Sequence, residues 1–181
     1  MKRLILLCLI LLFSPSYCWA DETEYNPLSV VSAVDFSRYA GKWFEIARLP
    51  NRFQKNCAGE TTATYTVLDE TQLTVLNECR NGIGRIEQAQ GTARVADKSG
   101  PNTKLKVRFA PAWLSWLPSI WGDYWIMDLG SDYSYAVIGT PDRKYLWILS
   151  RTPRMEESVY EKLKQHAAAA GFNVALLVRT N

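Results

Sequence analysis

The sequence predicts an all-β fold, an eight-stranded antiparallel up-and-down β-barrel followed by one C-terminal α-helix and a short final strand. Segments in which apolar and polar side chains alternate recur along most of the chain. Turn-forming segments at hairpin spacing separate them, and an amphipathic helical spacing follows only after the last long strand. Closing eight such strands removes exposed sheet edges and leaves room for one small ligand.

The first 20 residues have the features of a secretory signal peptide. Residues 2–3 are basic, and residues 4–13 form an unbroken apolar run. A membrane-spanning helix needs about 20 apolar residues, so a retained membrane helix is the poorer interpretation. Cleavage is expected after Ala20, with Ser16 as the alternative. The residues before Cys18 match a lipid-attachment site poorly, so a lipid anchor is not expected there.

The predicted organisation is therefore a signal peptide over residues 1–20, an N-terminal arm over 21–34 and a single barrel domain over 35–181. The signal carries two of the 21 basic residues and none of the 18 acidic ones, so the net charge falls from +3 to +1 on cleavage. A balance so close to neutral argues against a nucleic-acid partner. Export is predicted to the periplasm or outer membrane if the host is a Gram-negative bacterium.

Two cysteines, Cys57 and Cys79, remain in the mature chain and enter an oxidising compartment. A disulfide between them is predicted. A zinc site is not, because His166 is the only histidine and no C-x-x-C spacing occurs.

The first strand begins at Gly41, where a glycine allows a sharp turn, and Trp43 provides a large apolar side chain directly after it. From Trp43 onward, strict alternation places Glu45, Ala47 and Leu49 on the same side as the tryptophan. Before this strand, residues 35–39 suit a single helical turn, and after it residues 51–59 form a polar loop. Seven further strands are predicted at residues 61–68, 73–78, 85–96, 105–109, 123–129, 133–139 and 144–151.

The helix is predicted to start at Thr152 and Pro153 and to stop at Gly171, and its apolar residues recur at four-residue spacing. Residues 174–178 suit a last short strand. Because each hairpin reverses the chain, the loops at 51–59, 80–84, 110–122 and 140–143 fall at the open end of the barrel, the mouth. Cys57 and Cys79 both fall there, which supports their pairing independently of the redox argument.

The inward-facing positions of the strands are candidates for the wall of a ligand cavity. Small residues in the fourth strand would leave space for a ligand, and aromatic residues elsewhere suit an acyl chain or a flat polyene. The candidate ligand-binding residues are Glu45, Ala47, Leu49, Tyr65, Val107, Phe109, Trp125, Met127, Tyr135 and Trp147, and Val75 and Ala93 share their side of the sheet.

The long mouth loop contains Trp113 and Trp116 between Pro111 and Pro118, and Trp121 three residues further on. Exposed aromatic residues of this kind are typical of a partner or membrane surface, and a solvated rim is the alternative. Basic residues at or beside the mouth outnumber acidic ones. They are Arg52, Lys55, Arg80, Arg85, Arg143 and Lys144, against Glu60, Glu78, Asp123 and Asp142.

Candidate catalytic chemistry is sparse, and no catalytic residue, metal or cofactor is predicted. No G-x-S-x-G motif occurs, and His166 lies on the predicted helix near its core-facing side. Glu45 is the one acid on the inner side of the first strand. It could polarise a group of the ligand or be neutralised by a nearby arginine, and a polar role in the pocket is preferred to a catalytic one.

Three separated stretches carry a resemblance to a known family: G-K-W at Gly41 to Trp43, D-Y at Asp132 and Tyr133, and W-I-L-S-R ending at Arg151. The chain resembles the lipocalins from about residue 35 to residue 178, and within them the group of bacterial lipocalins and apolipoprotein D. The resemblance implies that Arg151 lies over the Trp43 ring and closes the barrel, a contact worth roughly 0.5 to 2 kcal/mol.

The resemblance also implies a function. It indicates a carrier of fatty acids, lysophospholipids or similar small hydrophobic molecules, with a role in membrane biogenesis or repair. Two alternatives remain open: a lipid-modifying enzyme of the isomerase type, which would be expected to carry a free thiol in the cavity, and a protein-interaction module that uses the Trp-rich mouth loop.

Overall fold

The computed structural model describes residues 26–180. The predicted signal peptide and the first residues of the predicted arm lie outside this range. Within it, no helix combines the length and the apolar character needed to cross a bilayer.

The eight predicted strands form one closed antiparallel barrel. Each strand pairs with the next along the chain, and the first pairs with both the second and the eighth. The strands are β1 (Gly41–Arg48), β2 (Cys57–Asp69), β3 (Gln72–Asn81), β4 (Ile86–Val95), β5 (Lys104–Arg108), β6 (Gly122–Leu129), β7 (Tyr135–Gly139) and β8 (Leu146–Ser150).

The predicted helical turn before β1 is present as α1 (Phe36–Tyr39), and the Asp35 carboxylate caps its first N–H groups. The C-terminal helix α2 (Glu157–Ala169) ends two residues before Gly171, whose φ of 91° lets the chain turn away. Short 3₁₀ turns occur at Arg52–Gln54, Ala112–Leu114, Pro118–Ile120 and Val174–Leu176.

Several boundaries differ from the sequence prediction. β2 begins at Cys57, so the polar loop after β1 is shorter than expected. α2 begins at Glu157 rather than at Thr152, because the Thr152 side chain bonds to Ser150 and to the Arg154 carbonyl and holds a local turn. Most of the predicted last strand is a 3₁₀ turn, and only β9 (Val178–Arg179) pairs with β1.

The core has two parts, separated by the barrel wall. The inner cluster fills the closed end of the barrel around Trp43 and includes Leu73, Leu105 and Ile138. The outer cluster lies between α2 and the outside of the barrel wall, where the helix residue Leu163 packs with residues such as Ile148. A strand residue's cluster therefore shows which face of the barrel wall it occupies.

Two β-bulges interrupt the alternation of side chains. In β1 the pairing with β8 shifts between Glu45 and Ala47, and in β6 the pairing with β7 shifts between Ile126 and Asp128. An extra residue at such a point reverses the facing of every residue beyond it. Ile46 and Ala47 therefore both lie in the outer cluster.

Candidate ligand-binding site

The closed end of the barrel is formed as the sequence predicts. The Arg151 guanidinium carbon lies 3.9 Å from the centre of the Trp43 ring, and the Trp43 Nε1–H donates to the Tyr39 carbonyl at 2.8 Å. Arg151 also donates to the carbonyls of Arg38, Tyr39 and Lys42. The arginine thus ties α1 and β1 to the end of β8.

Gly41 and the Asp132–Tyr133 pair belong to the same end. Gly41 has a φ of +93°, and a Cβ there would stand 3.3 Å from Arg151 Nη1, so glycine suits the position on both counts. The Tyr133 hydroxyl accepts from the Asp35 N–H at 2.9 Å. The Ser134 hydroxyl and N–H hold the pKa of the Asp132 carboxyl below its usual value. These contacts hold the closed end of the barrel together.

Three tyrosine hydroxyls meet inside the barrel. Tyr124 Oη lies 2.7 Å from Tyr39 Oη and 2.8 Å from Tyr65 Oη. Burial raises the pKa of all three phenols, because the charged phenolate is disfavoured away from water. The sequence analysis names only Tyr65 as a candidate. Tyr39 belongs to the predicted helical turn, and placing Trp125 inside the barrel puts its neighbour Tyr124 on the outer side.

Toward the mouth, an ion pair lies inside the barrel. Beyond the β1 bulge, Arg48 pairs across with Trp147 and turns inward, and its Nη1 donates to Glu45 Oε1 at 2.7 Å. The Thr180 hydroxyl donates to the same carboxylate oxygen at 2.7 Å and accepts from Arg48 at 3.2 Å. Of the two possibilities that the sequence leaves open for Glu45, neutralisation by a nearby arginine is the one present.

The mouth loop after β1 covers this pair. Gln54 donates through Nε2 to Glu45 Oε2 at 2.6 Å and accepts at Oε1 from Trp147 Nε1–H at 2.9 Å. Asn51 donates to the same Gln54 oxygen at 2.8 Å. Sequence reasoning missed Arg48, Gln54 and Thr180, because only the bulge and the β9 pairing bring them to Glu45.

The fourth strand provides the small inner residues that the sequence predicts. Ala93 belongs to the inner cluster, and Gly91 lies two residues away on the same side. A Cβ at Gly91 would stand 2.8 Å from the Phe109 ring, which therefore fills part of the space that the glycine leaves. Phe109 is 44% exposed, and Val107 packs against the inner cluster.

Five of the ten candidate residues do not face the interior. They belong to the outer cluster with α2, and the expectation that they face the cavity is wrong. For two of them the β1 bulge is the reason. In β6 and β7 both faces are apolar, so alternation alone does not show which face is inner. The five are Ala47, Leu49, Trp125, Met127 and Tyr135; the inward-facing candidates are Glu45, Tyr65, Val107, Phe109 and Trp147, whose contact with a ligand stays a prediction.

The predicted disulfide is confirmed. Cys57 and Cys79 are bonded, with their Cα atoms 5.5 Å apart, and join the start of β2 to the end of β3 at the mouth. Both cysteines in the described part of the chain are therefore oxidised.

The three tryptophans of the long mouth loop differ. Trp113 and Trp116 are each 74% exposed. Trp121 instead packs on the outer wall, with the guanidinium carbons of Arg94 and Arg108 at 3.9 and 5.2 Å from its ring centre. Its Nε1–H donates to the Ser115 carbonyl at 2.9 Å, so it anchors the loop and is not available at the surface like the other two.

The charges around the mouth are only partly paired. Arg80 pairs with Glu60 and Lys144 with Asp142. Arg143 donates to backbone carbonyls, including that of Asn26 at 2.6 Å. Three basic residues have no carboxylate within ion-pair distance among residues 26–180: Arg52, Lys55 and Arg85. Over the same residues, no cluster of side chains could hold a metal ion.

A closed eight-stranded barrel with a single open mouth, a sealed base and one external helix defines a class of small-ligand binding proteins. The tobacco hornworm insecticyanin structure has this architecture. It superposes with a TM-score of 0.65 at 20% identity, covering 86% of this chain and 85% of that one.

Sequence comparison places the chain more closely. Residues 34–181 match the model of the lipocalin-like domain. Temperature-induced lipocalin-1 of Arabidopsis thaliana is 41% identical over 159 residues, which are 87% of this chain and 84% of the relative. The outer membrane lipoprotein Blc of Escherichia coli is 34% identical over 160 residues, covering 88% and 85%. Mouse apolipoprotein D is 29% identical over 156 residues, covering 81% and 76%. The chain belongs to the lipocalin family, whose members bind small hydrophobic ligands.

Proposed function

We propose that this protein binds and carries fatty acids, lysophospholipids or similar amphiphiles in the upper part of the barrel. The proposed cellular role is in membrane biogenesis or repair. The observation that carries the proposal is the inner wall. It combines Trp147 and Phe109 with the small Gly91, above a base in which Trp43, Ala93 and their neighbours are buried together. An apolar wall with a few convergent polar groups suits an acyl chain with a polar head.

The first experiment identifies the ligand directly. The purified protein is extracted with organic solvent, and mass spectrometry of the extract is expected to show co-purified lipid. The delipidated protein is then titrated with a long-chain fatty acid. Absence of lipid in the extract together with absence of fatty-acid binding would contradict the proposal.

Trp147 provides an optical test of the same site. Its ring stacks on Tyr145 with centres 5.9 Å apart and lies on the inner face beside Arg48. Ligand is expected to change its fluorescence, and Trp147→Phe is expected to remove that signal and to weaken fatty-acid binding several-fold. Trp125→Phe, on the outer face, is the matched control and should retain both. A Trp147→Phe variant with unchanged signal and affinity would refute the cavity position.

The carrier role is preferred to the enzyme alternative. A lipid-modifying enzyme of the proposed kind would need a free thiol in the cavity, whereas Cys57 and Cys79 are joined to each other. Thiol titration of the unreduced mature protein distinguishes the two roles, and a reactive thiol would favour the enzyme.

We also propose that the mouth docks transiently on anionic membranes to collect or deliver lipid. Trp113 and Trp116 stand out from the surface, and Phe53 and Ile83 on neighbouring mouth loops are 64% and 76% exposed. Arg52, among others nearby, is not paired with any described carboxylate. Tryptophan prefers the head-group region, and each basic residue near an anionic bilayer adds about 1 kcal/mol.

The double variant Trp113→Ser and Trp116→Ser is expected to sediment less with anionic liposomes and to transfer lipid more slowly. Its equilibrium affinity for a soluble fatty acid should stay within about twofold of the wild type, because neither residue lies inside the barrel. Val67→Ser with Leu68→Ser removes two exposed apolar residues at the closed end and is the matched control. Equal liposome binding in all three proteins would contradict docking, and loss of a protein partner instead would favour the interaction-module alternative.

For localisation we propose export, with the mature chain beginning at Asp21 and residing in the cell envelope if the host is Gram-negative. The support is the signal-like start of the sequence and the similarity to Blc, which is named as an outer membrane lipoprotein. Mass spectrometry of the protein from its native host tests the cleavage site, and a lipid-modified Cys18 would contradict it.

A further inference from the structure

The ion pair inside the barrel needs an explanation beyond stability. The side chains of Glu45 and Arg48 are only 4% and 11% exposed. Removing two charges from water costs several kcal/mol per ion, and well-packed apolar residues often stabilise such a position equally well or better. A buried pair on the inner wall of the barrel is therefore a candidate functional group.

Glu45 and Arg48 differ in how many of their hydrogen-bonding groups already have a partner. Both carboxylate oxygens of Glu45 are occupied: Oε1 accepts from Arg48 and Thr180, and Oε2 accepts from Gln54. A guanidinium has five N–H donors, and only Nη1 of Arg48 donates to a described residue. Its Nε and Nη2 keep accessible surface and have no acceptor among residues 26–180. The guanidinium can therefore accept an anion, whereas the carboxylate already accepts three hydrogen bonds and is paired with a cation.

The position of Arg48 fits one end of an elongated ligand. It lies opposite Trp147 in the upper barrel. Its Nη1 donates to Glu45 and Thr180, and Gln54 in turn donates to the Glu45 carboxylate. The inner residues below are apolar, and several of them are aromatic or small. A polar head at Arg48 would leave the tail to run down the barrel toward the Tyr124 hydroxyl.

We propose that Arg48 binds the anionic oxygens of the ligand's head group, a carboxylate or a phosphate, through Nε and Nη2. Planar two-donor recognition of this kind is characteristic of arginine and is strong when charge-assisted. Glu45 and Thr180 are positioning residues that hold the guanidinium, and Gln54 holds the Glu45 carboxylate. The proposal rests on the proposed lipid-carrying function and deepens it by naming the charge of the ligand and its orientation.

The test compares three probes with the same chain: dodecanoic acid, 1-dodecanol and dodecyl phosphate. Binding to the delipidated protein is measured by calorimetry at about pH 8, where the acid is ionised. The wild type is expected to prefer the acid over the alcohol by about tenfold, equivalent to about 1.4 kcal/mol. The phosphate arm shows which of the two anions the site favours.

Two variants are expected to shift the preference in opposite directions. Arg48→Met should remove the preference for the acid while retaining binding of dodecanol. Glu45→Gln keeps the arginine but removes its internal counter-charge, so it should raise the acid preference further. Lys106→Met breaks an outer-wall ion pair with Asp123 and is the matched control, which should keep the wild-type preference.

The outcomes separate the proposal from the function on which it rests. If acid and alcohol bind the wild type equally, the Arg48 proposal is overturned and the carrier function stands. If none of the probes binds, the carrier function itself fails. If Arg48→Met does not fold, the Glu45→Gln shift decides, and an unchanged or lower acid preference there overturns the proposal.

Discussion

At the scale of single residues, Arg151 holds together several parts of the closed end. It stacks on Trp43 and donates to backbone carbonyls of three residues around α1. Arg151→Met is expected to lower the free energy of unfolding by about 3 kcal/mol, since a cation–π contact and charged hydrogen bonds are lost together. Denaturant unfolding measures this, with the exposed Arg154→Met as control. A loss below about 1 kcal/mol for Arg151→Met would show that the base closes without it.

The buried tyrosines predict how stability depends on alkaline pH. The folded-state pKa of Tyr39, Tyr65 and Tyr124 lies above the unfolded value of about 10. A group with a raised folded pKa contributes stability that is complete below the unfolded pKa and is lost as pH rises toward the folded pKa. The free energy of unfolding should therefore decline from about pH 10 upward.

Absorbance of the phenolate during an alkaline titration checks this. The three phenols should ionise together with unfolding, and Tyr65→Phe should make the decline less steep because one fewer proton is released. Ionisation of every tyrosine near pH 10 in protein that remains folded would contradict the buried hydroxyl cluster.

At the scale of elements, the disulfide fixes the mouth ends of β2 and β3. Its sequence separation of 22 residues corresponds to about 3 kcal/mol in the chain-entropy model. The double variant Cys57→Ser and Cys79→Ser should lose about this amount and should no longer respond to reductant, whereas the wild type should fall to the same stability on reduction. Two titratable thiols in unreduced wild-type protein would refute the bond in solution.

The strands also explain why only half of the ten candidate ligand-binding residues were placed on the correct face of the barrel wall. Every strand was predicted, from period-2 alternation where the two faces of the wall differ and from β-forming residues between turn segments elsewhere. Alternation does not report a bulge, however, so the prediction placed Ala47 inside where Arg48 lies. In β6 and β7 the outer face is covered by α2 and is as apolar as the inner one. The local sequence pattern therefore does not show which face of the wall Trp125 and Tyr135 occupy.

At the scale of the whole molecule, the fold could be predicted and the polar part of the site could not. The barrel, the closure by Arg151 and the disulfide follow from motifs and topology that are visible in the sequence. The Glu45 network instead joins β1, the mouth loop after it and a residue 135 positions later in the chain. Only the closed barrel and the pairing of β9 with β1 bring those parts together.

The bulge in β1 has a consequence for comparing relatives. Two proteins with the same eight residues from Gly41 to Arg48 would differ in the charge on the inner surface of this strand if one of them had no bulge. In the regular strand Ala47 would line the interior and the arginine would point to solvent, leaving Glu45 inside with no counter-charge. With the proposed role of Arg48, a single backbone irregularity would set the ligand preference of such relatives, and alignments that match every residue of this strand could still pair an anion-binding pocket with an anion-repelling one.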